Sequence, residues 1–388
     1  MLFSLVIVCA LGYQVAEGFT PVGREFRLAG WPRVTEHERL LARFAAQIPT
    51  DAALSTTPAL HPHLSHRQSI YVFPVIADAG YVLVDVSGTT DQHPVDVRNT
   101  LDGLLASGEF GVLDAAGGYL LLQRGAPARD IPAGFYDFVR SDAPPEHALD
   151  VPFGEHLVLV GYSVEDNPKW RLTRLRFHWR ATKPLPPDTA IRYQALAPSG
   201  AVVDDDALRP PPALVWLPPG QWQPGQTYVI ETLAWYLPAT WTPALAVDVA
   251  GQRAWPAISG AGGDLAVSPE GQLRLPAWER SGGVLVPYAA PSGAAGASVT
   301  FALGDWQVRL TGWQFPAAGA PGADLQVWLE WAAAGPSPRD DSVFVHLRDA
   351  AGRTVASGDA GPTWFVPQPA SRWPAPAEVR DAHVVTIP

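Results

Sequence analysis

The sequence predicts an α+β multidomain protein: a small α/β domain followed by two repeated β-sandwich domains. Three observations carry that prediction. Apolar residues fall at helical spacing only in the first third of the chain. From about residue 147 that periodicity gives way to short alternating strands separated by Pro/Gly turns. Within this second part, a series of short phrases recurs at a nearly constant offset of 150 to 152 residues.

Composition bounds the answer. The chain has 388 residues, and a 47% hydrophobic content supplies enough apolar material for two or three cores. Glycine (35) and proline (40) are abundant, and fifteen tryptophans argue for folded rather than disordered structure. The formal charge of -11 comes with only two lysines, Lys169 and Lys183, and with no basic stripe, so nucleic acid is not an expected partner. The single cysteine, Cys9, excludes a disulfide framework or a cysteine-based zinc site within one chain.

Residues 1–20 read as a residual transmembrane or anchor segment. "MLFSLVIVCALGYQVA" carries no charged side chain before Glu17 and is shorter than a bilayer span. The favoured expectation is the last part of a span whose start is missing. A signal or anchor sequence and a buried hydrophobic element are the alternatives. Arg24, Arg27 and Arg33 follow it and would favour a cytoplasmic side, although Glu17 and Glu25 offset them.

Residues 21–124 read as the small α/β domain. Thr35 to Glu38 fits a capping box, and Leu40, Leu41, Phe44 and Ile48 mark one helical face that Pro49 ends. "AALS" (52–55), "SIYVF" (69–73) and "YVLVDV" (81–86) read as strands. Pro94 opens a second helix, with Val97, Leu101, Leu104 and Leu105 on one face and Gly108 beyond its end. "FGVLDAAGGYLLLQ" (110–123) reads as a hairpin turning at Gly117–Gly118. Residues 125–146 read as a linker too rich in proline and glycine for regular structure.

The recurring phrases define two sandwiches, 147–252 and 297–388, with a connecting region at 253–296. "LRFHW" (175–179) matches "VWLEW" (327–331), and "VGYSV" (160–164) matches "TGWQF" (311–315). "IRYQALAPSGAVVDDD" (191–206) matches "VFVHLRDAAGRTVASGD" (343–359), with Gly200 opposite Gly352. Trp222 falls opposite Trp373, and "LP" (237–238) opposite "IP" (387–388). "PSGAAGAS" (291–298) reads as a linker.

The phrases "GFTP", "TEHERLLARFAAQIPTDAALSTTPALHPHLSHRQSIYVFP", "AGYVLVDVSG" and "LLASGEFGVLDAAGGYLLLQRG" resemble the soluble tail of a family of predicted polytopic bacterial membrane proteins, domain-of-unknown-function family 2079. That family is similar to the C-type glycosyltransferases, which use lipid-linked sugar donors. The resemblance covers roughly residues 10–125. It implies a chain at the cell membrane whose soluble part is extracytoplasmic, and a membrane-embedded domain, missing from this chain, as partner. The acidic catalytic residue of C-type enzymes sits in an early extracytoplasmic loop that has no counterpart here. No catalytic residue carries over.

Several side chains are candidate contact sites. His61, His63 and His66 lie within six residues, followed by Arg67. Zinc needs three or four converging ligands, and no nearby acid completes the set. A kinked loop in which His63 and Arg67 bond backbone carbonyls, or a ligand or partner contact, are the other expectations. Asp85 ends a strand, where side chains of α/β sheets often face a ligand crevice, and a cap or turn role is its alternative. No glycine-rich phosphate loop and no G-x-S-x-G elbow occurs, so no cofactor or hydrolase triad is expected. In "LQVWLEW", Leu325, Val327, Leu329 and Trp331 alternate onto one face and place Trp328 on the other, with Phe344 and His346 also turned outward. These three are candidates for stacking on sugars, with burial against 253–296 or another domain as the alternative.

The favoured function is a non-catalytic extracytoplasmic tail that docks on the membrane domain of a glycosyltransferase-like protein and contacts glycan or acceptor. A free-standing, anchored or secreted carbohydrate-binding protein is the second expectation. A metal-dependent enzyme built on His61, His63 and His66 is the third.

Overall fold

A computed structural model of the chain describes residues 2–17, 34–88, 92–141, 143–167, 171–258, 265–281, 283–288, 298–316 and 318–388. Arg24, Arg27 and Arg33, and residues 291–297 of the expected linker, lie outside them. The contacts divide the chain into two compact units, Met1–Ile48 and Pro49–Pro388. The first holds helices α1 (Leu2–Glu17) and α2 (Glu36–Ala45). The expected capping box starts α2: the Glu38 carboxylate accepts from the Thr35 N–H at 2.6 Å, and Thr35 Oγ1 accepts from the His37 N–H at 3.2 Å. Among the described residues, no helix is long and apolar enough to cross a membrane.

The second unit is mostly β structure in several separate sheets. It begins with β1 (Leu54–Thr56), β2 (Ile70–Val72), β3 (Tyr81–Asp85), β4 (Phe110–Ala116) and β5 (Tyr119–Arg124) in one sheet of order β2-β1-β3-β5-β4. The pairs β2·β1 and β1·β3 are parallel, while β5 runs antiparallel to both β3 and β4. Helix α3 (Pro94–Ala106) starts at the expected proline, and Val97, Leu101 and Leu105 join Val82, Val84, Leu120 and Leu122 in one core. Gly117 (φ +54) and Gly118 (φ +90) make the hairpin turn, both in the left-handed region that glycine reaches without cost.

The stretch 125–146 is not the irregular linker that its composition suggests. Residues Ala133–Val139 form a 3₁₀ turn whose Phe135 and Val139 are buried. Proline and glycine bias against long helices, but this seven-residue 3₁₀ helix is short and has two apolar anchors.

Residues 147–288 form a first β assembly. Strands β6 (His147–Phe153), β7 (Leu157–Asn167), β8 (Leu172–Ala181), β11 (Thr227–Glu231) and β12 (Trp235–Tyr236) make one antiparallel sheet of order β11-β8-β7-β6, with β12 also on β8. A second sheet contains β9 (Ala190–Leu196), β10 (Val202–Asp205), β13 (Thr240–Val249), β14 (Gln252–Ala254), β15 (Ala266–Val267), β16 (Leu273–Arg274), β17 (Trp278–Ser281) and β18 (Val284–Pro287). Strand β13 lies between β9 and β16. Its Trp241, Leu245 and Val247 share one buried cluster with Leu157, Leu159, Phe177, Trp179, Tyr228 and Ile230 of the facing sheet. Trp179 Nε1 donates to Tyr193 Oη at 2.8 Å inside this core, so its polar tip is satisfied. Strands β14 to β18 attach the described part of the expected connecting region to this assembly. The partly buried ion pair of Arg280 with Asp166, at 2.6 Å, ties it to the first sheet.

Residues 299–388 form a second assembly with β19 (Val299–Leu303), β20 (Trp306–Gln314), β21 (Asp324–Ala333), β22 (His346–Arg348), β23 (Thr354–Ser357), β24 (Thr363–Trp364), β25 (Val366–Pro367) and β26 (Ala377–Thr386). Its main sheet is β19-β20-β21-β26, all antiparallel, in the same connectivity as β6-β7-β8-β11. The two main sheets also share local features. Leu159 pairs with Trp179 before a bulge that brings Gly161 opposite His178, and Leu310 pairs with Trp331 before a bulge that brings Gly312 opposite Glu330. Gly200 (φ +82) and Gly352 (φ +78) close the same kind of turn, with Gly200 N donating to Ala197 O and Gly352 N to Asp349 O, both at 2.9 Å. Trp222 Nε1 donates to Leu217 O at 2.9 Å, and Trp373 Nε1 to Gln368 O at 3.0 Å, each five residues back.

Helix α4 (Pro212–Trp216), between β10 and β11, ties the first assembly to the α/β sheet. Trp216 belongs to the α/β core and meets Phe135 edge-on at 5.0 Å, with the Arg98 guanidinium 5.3 Å from its ring. Removing that ring leaves a void where two cores join. Trp216→Ala is therefore expected to destabilise the α/β sheet by about 3–5 kcal/mol, measured by urea unfolding.

Candidate functional site

The predicted contact residues of the α/β domain do not converge. His61 and His63 lie in a 3₁₀ turn, His61–Leu64, anchored by buried Leu60 and Leu64. Ser65 Oγ closes it by donating to Pro62 O at 3.0 Å. Arg67 turns back to the carbonyls of Pro49 and Ala52, before β1, and its burial pulls the guanidinium below its ordinary value, with Asp51 partly offsetting this. That is the backbone-bonding role expected for Arg67. Asp85 sits at the other end of the same parallel strands, where it accepts from Ser87 N at 2.9 Å and Ser87 Oγ at 2.7 Å. It terminates the strand as a turn residue. Among the described residues, no group of three or more His, Cys, Asp or Glu is placed to hold a metal.

Of the expected aromatic trio, Trp328 is not a free platform. It packs 6.2 Å from Tyr288 and 5.0 Å from Trp364, in a cluster with Leu196, Ala244 and Phe365 that joins the two assemblies. Alternation correctly turned it away from the face of Leu329 and Trp331, but the neighbouring assembly covers the side it turned to. Phe344 is 71% exposed, and His346 lies beside it with ring centroids 6.2 Å apart.

A large concavity lies on the opposite face of β21. A groove of about 990 Å³ runs between the main sheet of the second assembly and residues 339–347. Leu310, Leu325, Val327, Leu329 and Trp331 form its floor, all drawn from the strands in alternate positions. Trp306 and Trp373, 5.9 Å apart, close one end. Their indole N–H groups are already bonded to Gly335 O and Gln368 O, each at 3.0 Å, so the groove meets ring faces and edges rather than donors. Exposed Phe301, Phe315 and Phe344 stand at the rim.

Charge at the rim is self-paired. Arg339 Nε donates to Asp341 at 2.9 Å, and His346 Nε2 lies 3.3 Å from Asp359. Among the described residues, no serine or cysteine is hydrogen-bonded to His346. An apolar trough with paired rim charges can bind, but it offers no nucleophile and base in reach of each other.

Beneath the groove lies a polar pair that inspection of the sequence missed. In β26, Asp381 and His383 point inward opposite Leu329 and Val327, and both are buried. Asp381 accepts from Trp331 Nε1 at 3.1 Å, from the Thr363 N–H at 2.8 Å and from His383 Nε2 at 2.8 Å. The second ring nitrogen, His383 Nδ1, lies 2.8 Å from Gly358 O. A carbonyl and a carboxylate only accept, so both nitrogens donate and the ring is an imidazolium. Burial alone would lower the histidine, but the bond to and charge of Asp381, with the Gly358 carbonyl, outweigh it and hold His383 above its ordinary 6.5. The signal available in "AEVRDAHVV" was polar residues at inward positions of a strand.

Compared with known proteins, the chain matches no family model, no curated protein and no solved structure.

The buried pair makes stability depend on pH in a defined direction. Folding raises the affinity of His383 for its proton. Its contribution is complete below the unfolded value near 6.5 and is lost as pH rises through the higher folded value. The stability difference between the wild type and Asp381→Asn/His383→Gln is expected to shrink as pH rises from about 6 to 9. Chemical denaturation of both proteins across that range measures it, and a constant difference would remove the imidazolium assignment.

Proposed function

We propose that this chain is a non-catalytic docking tail: a small α/β domain followed by two copies of one β-sandwich, with the groove of the second copy as its contact surface. The groove carries this reading. It is large and open, and its floor is made of Leu, Val and Trp side chains. A surface of this kind on a soluble body usually marks an interface. The matched bulges, glycine turns and Trp-to-carbonyl bonds support the two-copy reading. The family phrases of the α/β domain support a polytopic glycosyltransferase-like membrane protein, outside the cytoplasm, as the body on which the tail docks.

Carbohydrate binding is the second reading, favoured by exposed Phe344 with His346 beside it at the rim. Trp328 no longer contributes to it, being packed between the assemblies.

A photo-crosslinking amino acid at position 344, introduced into the full chain in its source cells, separates the two. Docking predicts an adduct with a polytopic membrane protein, and an adduct with none would refute it. Sugar binding predicts instead that purified chain binds immobilised glycans and that Phe344→Ala weakens this by about tenfold or more, the loss of one stacking platform.

A further inference from the structure

Each β assembly is joined to the body that precedes it in the chain, and the two joints are built alike. In the first assembly the connection from β10 to β11 carries Trp216, one residue before Leu217, whose carbonyl accepts the Trp222 indole N–H. In the second, the connection from β23 to β26 carries Phe365, three residues before Gln368, whose carbonyl accepts the Trp373 indole N–H. Both rings are buried in the preceding body. Trp216 belongs to the α/β core, and Phe365 clusters with Leu196 and Ala244 of the first assembly. An arginine of that body lies over each ring: Arg98 of α3 is 5.3 Å from Trp216, and Arg274 of β16 is 5.8 Å from Phe365. A guanidinium over an aromatic face gains most where water is excluded. Backbone groups secure both joints. Arg98 Nη1 donates to Trp216 O at 3.5 Å, and the Phe365 N–H donates to Pro198 O at 3.0 Å.

The second joint is held against a backbone cost. Phe365 has φ +61, and among the described residues it is the one aromatic residue with a positive φ. A bulky side chain in the left-handed region persists only where its surroundings over-determine it. Here Trp364 and Val366 pair with each other and leave Phe365 as the tip between them. The tip meets Tyr288 of the first assembly edge-on at 6.4 Å. The socket is shaped to admit it. At Gly200 (φ +82) a Cβ would stand 2.9 Å from Thr363 Cγ2, so the turn conformation and the closeness of the tip both call for glycine. Further attachment comes from Arg372, whose Nη1 donates to Pro269 O at 3.3 Å, and from Trp328 beside Tyr288. Attachment at several points opposes rotation of one assembly against the other.

Resting on the docking-tail reading with its two copies, we infer that residues 212–216 and 363–366 are equivalent aromatic plugs, each seated in the body before it, which lock the α/β sheet and both assemblies into one rigid arm. The interaction surface of the second joint is the socket of Pro198, Gly200, Arg274 and Tyr288, and what it fits is the Phe365 tip. Domains joined only by chain reorient freely by default. A plugged joint instead fixes how far the second assembly stands from the α/β sheet. A tail built this way presents its contact surface at a set distance and angle.

The test uses the full chain with Cys9→Ser and spin labels on pairs of exposed positions. Ala106→Cys with Asp188→Cys spans the first joint, and Asp188→Cys with Thr354→Cys spans the second. Pulsed electron-resonance distances are expected to give one narrow peak for each pair. Phe365→Gly removes the ring while relieving the backbone, and it is expected to abolish the narrow peak across the second joint and keep the first. Gly200→Asn tolerates the left-handed turn but fills the space of Thr363, and it is expected to do the same from the socket side. A broad distribution across either joint of the parent chain, or a second peak that stays narrow in both variants, would overturn the plugs. So would loss of the first peak together with the second, because the joints would then not act separately. Crosslinking at position 344 distinguishes this inference from docking. A rigid arm that crosslinks to no membrane protein refutes docking and leaves the plugs standing, and a loose chain that still crosslinks does the reverse.

Discussion

An antiparallel sheet with one apolar face is stable in water only when something covers that face. In the first assembly the cover is a second sheet centred on β13, which pairs along β9 and drives Trp241, Leu245 and Val247 into the facing strands. The rest of the assembly depends on that placement. Strands β16 and β17 are ordered on the other side of β13, and they bring Arg280 to its partly buried pair with Asp166. In the second assembly a short ribbon, β22 and β23, and the 3₁₀ turn with Trp373 cover part of the face. What they leave uncovered is the groove.

The buried Asp381–His383 pair fits this arrangement. A main sheet lacking part of its apolar cover needs another source of order, and the pair pins three segments at once: β21 through Trp331, the 358–363 turn through Gly358 O and Thr363 N, and β26 itself. Buried charges cost desolvation, and they persist where each lone pair and proton is used. Here both ring nitrogens and both carboxylate oxygens have partners. The loop they hold carries Phe365, whose N–H reaches Pro198 O at 3.0 Å in the first assembly. One polar cluster thus helps to set the wall of the groove and the seam between assemblies.

Much of the fold was legible in the sequence because local rules and tertiary demands agreed. Pro94 opened a helix, and Gly117–Gly118 turned a hairpin. The 3₁₀ turn at 133–139 was hidden because its stability comes from burying Phe135 and Val139 under neighbours remote in sequence. The site was legible only in outline. Alternation assigned Leu325, Val327, Leu329 and Trp331 to one face correctly, but period-two patterning reports that a face is apolar and not whether it is filled. Trp328 shows the converse: its outward position was readable, whereas its cover by Tyr288 and Trp364 is a contact between segments that no local pattern encodes.

The histidine cluster and the groove pose the same question, and physics answers them differently. His61, His63 and His66 drew notice because three titratable groups stand close in sequence, but only His61 and His63 lie in the short 3₁₀ turn, His66 follows its end, and among the described residues no such group is placed to hold a metal. Closeness along the chain is then not convergence in space. The groove residues come from strands far apart in sequence, and the sheet register brings them onto one surface. A binding surface made of register has no compact motif. The groove floor shows it: Leu310 comes from β20 and Leu325, Val327, Leu329 and Trp331 from β21, and their strand pairing puts them on one surface.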